Sequence, residues 1–264
     1  MSPARRHRVR LLAVALLTLA VLLAAALLPP LPQPQRYHDF ADQRHLFGLP
    51  HAWNLVSNLG FVVVGAFALR RLHQGQASFI DARERWPYGL FFLSVVAVGL
   101  GSVYYHLAPS HETLFWDRLP MSVAFMALFS AVLVERLGPR VGLRLFPWLM
   151  LAGPLSVVYW LLSERAGAGD LRAYAVVQFY PLLLMPLLMG LFAPRYTRGG
   201  DLLLVLALYL AALAADRMDR VVFAAGGWLS GHTLKHLLAA LAAAWLWRML
   251  SLRRPALEPS AAEN

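Results

Sequence analysis

The sequence predicts an all-α membrane protein, in which one extra N-terminal hydrophobic helix precedes a bundle of seven transmembrane helices. Of its 264 residues, 59% are hydrophobic and only 14% are charged, and long apolar runs alternate with short connections. A soluble domain of this size carries about 25% charged residues, and a disordered chain is poor in apolar residues, so both classes are disfavoured. The runs also lack the residue-by-residue alternation of a membrane β-barrel.

Eight apolar runs are long enough to span a bilayer, which takes roughly 20 apolar residues. We place the spans at 9–28, 53–72, 87–107, 117–137, 143–162, 171–193, 201–220 and 231–250. The first span, with its basic start, defines an N-terminal segment 1–30. It also fits a cleaved signal peptide, although its apolar run is longer than the run such peptides usually have, and we favour an uncleaved helix.

The remaining boundaries follow from composition. Residues 31–52 are rich in proline and then polar, and are predicted to form an outer loop; the bundle spans 53–250, and 251–264 is predicted to be a disordered cytoplasmic tail. The chain has no cysteine, which excludes disulfides and thiolate metal sites.

The net charge is +10, and the distribution of the basic residues predicts the orientation of the protein in the membrane. In a soluble protein such a charge would suggest nucleic acid, but here the basic residues lie mostly in short loops. With the N-terminus in the cytoplasm, 16 of the 24 basic residues fall on the cytoplasmic side, as the positive-inside rule requires. We therefore expect no nucleic-acid partner, a cytoplasmic C-terminus and a bacterial inner-membrane location.

Ionisable residues gather near the outer ends of three spans. His232 and His236 are four residues apart and share one helix face. The topology puts His106, and Asp117 on the next span, at the same depth, with Ser102 one turn before His106. Three histidines leave a fourth zinc position open, as in catalytic zinc sites. The alternative is a set of interfacial histidines bonded near lipid head groups.

A zinc site of this kind suits hydrolysis of an amide or an ester. Asp117 would be the general base, which passes a proton from water to the leaving group, and Ser102 would hydrogen-bond the developing oxyanion. The G-x-S-x-G and H-E-x-x-H motifs of other hydrolases are absent from the sequence. Asn54, Ser57 and Asn58 are expected either to support the zinc ligands or to bond neighbouring helices.

These motifs resemble the signature of the CREST superfamily of seven-helix membrane proteins, which includes alkaline ceramidases and the progestin and adipoQ receptors. The matching residues are Ser102-x-x-x-His106, Asp117 and His232-x-x-x-His236. The segment Trp53–Asn58 is similar to alkaline ceramidases in particular, and the resemblance covers about residues 37–250. It implies zinc on the three histidines, Asp117 as acid/base, an assisting Ser102, and a bacterial ceramidase-like enzyme. We expect this enzyme to cleave an N-acyl membrane lipid, such as the sphingolipid ceramide, to a fatty acid and an amine.

The resemblance also implies a calcium site formed by acidic residues before the first core helix, where Asp39 and Asp42 stand. However, Phe40 replaces the usual Trp, and Arg44 and His51 stand where Asn and Glu are expected. A cation among the ligands would repel the ion, so we favour an ion-paired lid over the outer mouth.

Two alternatives to an amide hydrolase stay open. One is an ester-lipid hydrolase, and the other is a non-enzymatic receptor or sensor with a structural zinc. A transporter is disfavoured because charged residues are not strung through the bilayer depth. The charged run 216–220 is interpreted as a self-paired surface loop, and Lys235 is expected to reach the outer interface or a lipid head group.

The predicted topology can be tested with reporter fusions in a bacterial host. A fusion after Ser110 should report a non-cytoplasmic location, and a fusion after Arg198 a cytoplasmic one, because charge bias sets the orientation. Alkaline phosphatase activity, normalised to expression, gives the readout. The reverse pattern would overturn the topology.

Overall fold

The computed structural model describes residues 2–46 and 48–256. Ten α-helices and two short 3-10 turns form this part of the chain, and it contains no β-strand. The helices are α1 (Pro3–Leu27), α2 (Ala52–Ser57), α3 (Leu59–His73), α4 (Arg85–Leu107), α5 (His111–Leu137), α6 (Pro139–Arg165), α7 (Arg172–Leu191), α8 (Gly200–Arg217), α9 (Asp219–Gly226) and α10 (Gly231–Leu252).

The predicted seven-helix bundle with an extra N-terminal helix is confirmed. Seven of the described helical segments are long and apolar enough to cross a membrane. One of them is α1, and another consists of α2 and α3 together. The 22-residue helix α10 is not among these seven. It has the required length, but His232, Lys235 and His236 make its first turns polar. With α10, the core therefore has seven long helical segments besides α1.

Polar caps decide where several helices begin. Helix α5 begins at His111, six residues before the predicted start, because Ser110 and Thr113 form a capping box. Helix α10 begins after Ser230, whose hydroxyl accepts a hydrogen bond from the Thr233 amide at 3.1 Å. The first core span is interrupted at Asn58, whose side chain donates to the Asn54 carbonyl at 2.6 Å.

Helix α5 lies at the centre of the bundle. It packs against α4, α6 and α7, while α10 packs against α8 and α3. Helix α1 lies outside, against α7, where the Thr18 and Tyr180 hydroxyls are 2.5 Å apart. No residue of α1 is fully buried by protein, so this helix leaves most of its surface outside the bundle.

A glycine allows α4 and α5 to approach closely. A Cβ atom built on Gly101 would lie 2.1 Å from the Trp116 carbonyl oxygen, so only a hydrogen fits between these backbones. The next residues on the two helices are Ser102 and Asp117. The close approach therefore brings these two predicted site residues together.

The opposite end of the bundle is closed by a buried arginine. Arg253, which directly follows α10, is 2% exposed and pairs with Glu135 on α5 at 3.3 Å. Its guanidinium carbon lies 3.9 Å from the centre of the Tyr196 ring and 5.0 Å from that of Tyr88. These contacts attach the end of α10 to α4, α5 and the loop after α7.

The described part of the predicted tail is ordered. Helix α10 extends to Leu252, and Pro255 forms a β-bridge with Tyr196. The Ala256 amide donates to the Arg195 carbonyl at 2.9 Å. The remainder of the tail prediction, 257–264, lies outside the described residues.

The close approach predicts a large effect for Gly101→Ala. The added methyl group must push α4 away from α5, and such overpacking costs about 1–3 kcal/mol. Gly89→Ala in the same helix is the matched control, because its Cβ would meet only Leu72 at 3.7 Å. Thermal unfolding in detergent measures both variants. Equal midpoints for the two would contradict this account of the α4–α5 contact.

Candidate metal centre

Three histidines meet at one end of the bundle. His106 comes from the last turn of α4, and His232 and His236 come from the first turns of α10. One ligand nitrogen from each ring lies within 4.8 Å of the other two, and all three side chains are buried. The Nε2 atoms of His106 and His232 are 3.1 Å apart. The predicted convergence of the histidines from two spans is therefore present.

Hydrogen bonds at the far side of two rings leave Nε2 free. His232 Nδ1 lies 2.7 Å from Asp216 Oδ1; since a carboxylate only accepts, Nδ1 carries the proton. His236 Nδ1 lies 2.8 Å from Ser57 Oγ, and this hydroxyl donates to the Asn54 carbonyl. Ser57 therefore accepts from Nδ1. In both rings the Nε2 lone pair faces the cluster, as metal ligation requires.

Asp216 is a residue that the sequence analysis missed. The prediction of a self-paired loop at 216–220 was wrong, because these residues end α8 and begin α9 and bond other parts of the chain. Besides binding His232, Asp216 lies 3.2 Å from Lys235 Nζ, and Asp219 accepts from the His232 amide. Lys235 is thus turned inward and does not extend to the interface as expected.

The side chains of Asn54 and Asn58 bond groups other than the histidine rings. Asn54 Oδ1 accepts from the Thr233 hydroxyl at 2.7 Å, which ties the first core span to the first turn of α10. Asn58 is fully buried and bonds the Asn54 carbonyl. Of the three predicted supporting residues, Ser57 bonds a histidine ring nitrogen through its side chain.

Ser102 and Asp117 line a cavity together with His236. The cavity has a volume of about 170 Å³ and lies between α4, α5, α7, α8 and α10. Its polar end also includes Lys235 and Asp216. Its other lining residues are largely apolar and include Phe91, Val95, Leu128, Met185, Val205 and Ala243. From Ser102 to Phe91 the cavity follows α4 for roughly 16 Å.

The segment before α2, predicted as an outer loop, covers the histidine cluster. The Phe40 ring is buried, with its centre 4.7 Å from that of His106 and 4.5 Å from that of His232. Next to it, His38 bonds the Tyr105 hydroxyl at 2.8 Å and His111 at 2.7 Å. Burial, followed by the charges of neighbouring basic groups, lowers the pKa of His38 to about 4. A neutral His38 therefore holds the loop against the ends of α4 and α5.

The two carboxylates considered for calcium both contact arginines. Asp42 pairs with Arg44 through two oxygens, and Asp39 pairs with Arg220. Burial acts to raise the pKa of Asp42, but the Arg44 bonds outweigh it and hold the pKa below its ordinary value. Arg44 also donates to the Gly227 carbonyl at 2.8 Å. This arrangement is the ion-paired lid that the sequence analysis favoured, and we assign no ion to it.

The histidine cluster fits a metal ion of the imidazole-binding class. Zinc–nitrogen bonds of about 2.0–2.1 Å in a tetrahedron place two ligand nitrogens roughly 3.3 Å apart, close to the 3.1 Å between His106 and His232. His106 Nδ1 is buried without a hydrogen-bond partner among the described residues. Three neutral imidazoles suit zinc, copper, iron or nickel better than calcium or magnesium.

Comparison with protein families identifies a match over much of the chain. Residues 49–192 match the model of the family described as Ceramidase, which is more than half of the 264 residues. The matched segment contains Ser102, His106 and Asp117 and ends before His232. A search of curated proteins finds no match.

The geometry predicts that metal binding depends on His232 and, more weakly, on Asp216. His232→Ala should abolish stoichiometric binding, because it removes a ligand, and Asp216→Asn should weaken affinity about 10- to 100-fold, because it replaces the carboxylate that accepts from the ring with a neutral amide, a weaker acceptor. Metal per chain is measured by plasma mass spectrometry, with affinity from chelator competition. The control is His73→Ala, an exposed histidine outside the cluster. A full metal complement in His232→Ala would refute the site.

Proposed function

The chain belongs to the ceramidase family, and on that premise we propose that it is a zinc-dependent intramembrane hydrolase of N-acyl lipids. It cleaves the amide bond of ceramide or a related lipid and yields a fatty acid and an amine. The observation that carries this proposal is the buried cluster of His106, His232 and His236, of which His236 lines the polar end of a largely apolar cavity. We further propose that this end lies near the non-cytoplasmic face.

Zinc would be held by the Nε2 atoms of the three histidines. When bound, zinc supplies Lewis acidity, which lowers the pKa of a water molecule and polarises a carbonyl oxygen. The bonds from Asp216 to His232 and from Ser57 to His236 keep the ligand nitrogens directed at the cluster. A structural zinc site is usually closed by four protein ligands, so three histidines favour an enzyme over a receptor with a zinc staple.

Asp117 and Ser102 supply the proton transfer and the hydrogen bond. Asp117 takes a proton from the attacking water and delivers it to the leaving amine as the carbon–nitrogen bond breaks. Ser102, adjacent to it across the α4–α5 contact, donates to the oxygen that gains negative charge. Both residues line the same cavity as His236, so they would face one bound carbonyl group.

The cavity suits a lipid with a long apolar chain. Its inner portion is lined by aliphatic and aromatic side chains from the bundle centre. An acyl chain has no polar groups, so it can be buried there without leaving a hydrogen-bonding group unpaired. Phe40 covers the cluster from the outer side. We therefore propose that substrate enters between helices from the bilayer and that the scissile bond stops at the polar end.

Asp117→Asn tests the proposed base. This nearly isosteric change should leave the metal content at the wild-type level and lower the rate of amide hydrolysis about 10²- to 10⁴-fold, because an amide cannot accept the proton. The assay uses purified zinc-loaded protein in detergent with a panel of N-acyl and ester lipids of equal chain length, and free fatty acid is measured by mass spectrometry.

The matched control is Asp201→Asn, an identical change at the opposite end of the bundle, where Asp201 pairs with Arg198. It should retain wild-type turnover. Full activity in Asp117→Asn would remove Asp117 from the mechanism. Turnover of the esters alone would favour the ester hydrolase, and turnover of no lipid by wild type would favour the receptor.

A further inference from the structure

Arg118, the residue after the proposed base, is a buried cation without an anionic partner. Its side chain is 6% exposed, and no carboxylate among the described residues forms an ion pair with it. One hydrogen bond is present, from Nη2 to the neutral Gln33 amide oxygen at 2.5 Å. Nη1 is buried without a hydrogen-bond partner in the described chain.

Aromatic rings fix the direction of this guanidinium. Its central carbon lies 4.4 Å from the ring centre of Trp160, 5.0 Å from Tyr174 and 5.3 Å from Tyr37. Cation–π contacts offset part of the cost of removing the charge from water, but they satisfy no N–H donor. Glu164 does not pair with Arg118. Its carboxylate accepts hydrogen bonds from the backbone N–H of Gln33 and from the indole N–H of Trp160.

Two other cations within the bundle pair with carboxylates. Arg253 pairs with Glu135, and Lys235 pairs with Asp216. Burying an unpaired charge is costly, and a buried charge normally has a partner. In the described part of the bundle, Arg118 lacks such a partner, as does the buried Arg136, whose Nη1 donates to the Met189 and Phe192 carbonyls. Unlike Arg136, Arg118 lies where a ligand is expected, since it lines the same cavity as Asp117 and His236.

We propose that Arg118 binds an anionic oxygen group on the head of the N-acyl lipid, such as a phosphate ester, and so selects anionic over neutral substrates. This inference rests on the proposed function. Guanidinium is a permanent cation whose planar fork matches phosphate and carboxylate oxygens. Because Arg118 follows Asp117 directly, the head group lies beside the scissile amide while the acyl chain occupies the apolar part of the cavity.

The test compares ceramide with ceramide 1-phosphate of the same acyl chain, using zinc-loaded protein in detergent. Wild type should show the higher kcat/KM for the phosphorylated lipid. Arg118→Gln should lower this kcat/KM about 10- to 100-fold, the loss expected for hydrogen bonds to a charged group, and lower the kcat/KM for ceramide by a much smaller factor. Arg118→Lys should retain part of the preference, because it keeps the charge and loses the fork. The control is Arg165→Gln, an exposed arginine paired with Glu112.

Three results would overturn the inference. Equal loss on both lipids in Arg118→Gln would assign Arg118 a purely structural role, and a wild type without preference would remove the selectivity. The third result would show that Arg118 binds the carboxylate of the fatty acid product. If Arg118→Gln only weakens inhibition by free fatty acid, the bound group is that carboxylate and not the head group.

Failure of the proposed function is separable from failure of this inference. If wild type cleaves neither lipid, the unfolding midpoint of the protein is measured with each lipid. Greater stabilisation by ceramide 1-phosphate that disappears in Arg118→Gln would support the anion site without an amide hydrolase. Equal stabilisation by both lipids would reject it.

Discussion

The hydrogen bond between His232 Nδ1 and Asp216 sets the orientation and the protonation of the ring on which the histidine cluster depends. It fixes which ring nitrogen carries the proton and leaves Nε2 directed toward His106 and His236. It also joins α8 to α10, and the Asp216 carboxylate pairs with the partly buried Lys235. In an apolar surrounding, each polar group that loses water needs such a partner. The polar end of the cavity is consequently a connected network.

The placement of this network explains how water-dependent chemistry can coexist with lipid. The outer loop seals the histidines through Phe40, and the ion pairs of Asp42 with Arg44 and of Asp39 with Arg220 hold the loop in place. Below the cluster, the lining becomes apolar. A lipid bound there has its polar segment among polar groups and its chain among hydrocarbon side chains. The boundary between the two environments lies close to Ser102 and Asp117.

Much of this fold could be predicted because membrane spans follow from local composition. The three histidines could also be brought together from spacing and span direction, since helices of alternating direction return to the same membrane face. Pairings between distant segments could not be predicted in this way. Asp216 was taken as part of an exposed loop because alternating charges at 216–220 resemble local pairing. The aromatic contacts of Arg118 depend on α6 and α7, which no sequence spacing relates to α5.

Helix α10 runs without interruption from one end of the bundle to the other. Its first turns carry His232 and His236, and Arg253 fastens its far end to Glu135 and to the rings of Tyr88 and Tyr196. His236 and Arg253 are separated by roughly 25 Å of helix. A rigid helix transmits axial displacement along its length, so the depth at which the imidazoles sit is set partly from the opposite surface. Without the Arg253 contacts, the axial position of His232 and His236 would depend on local contacts such as their hydrogen bonds to Asp216 and Ser57.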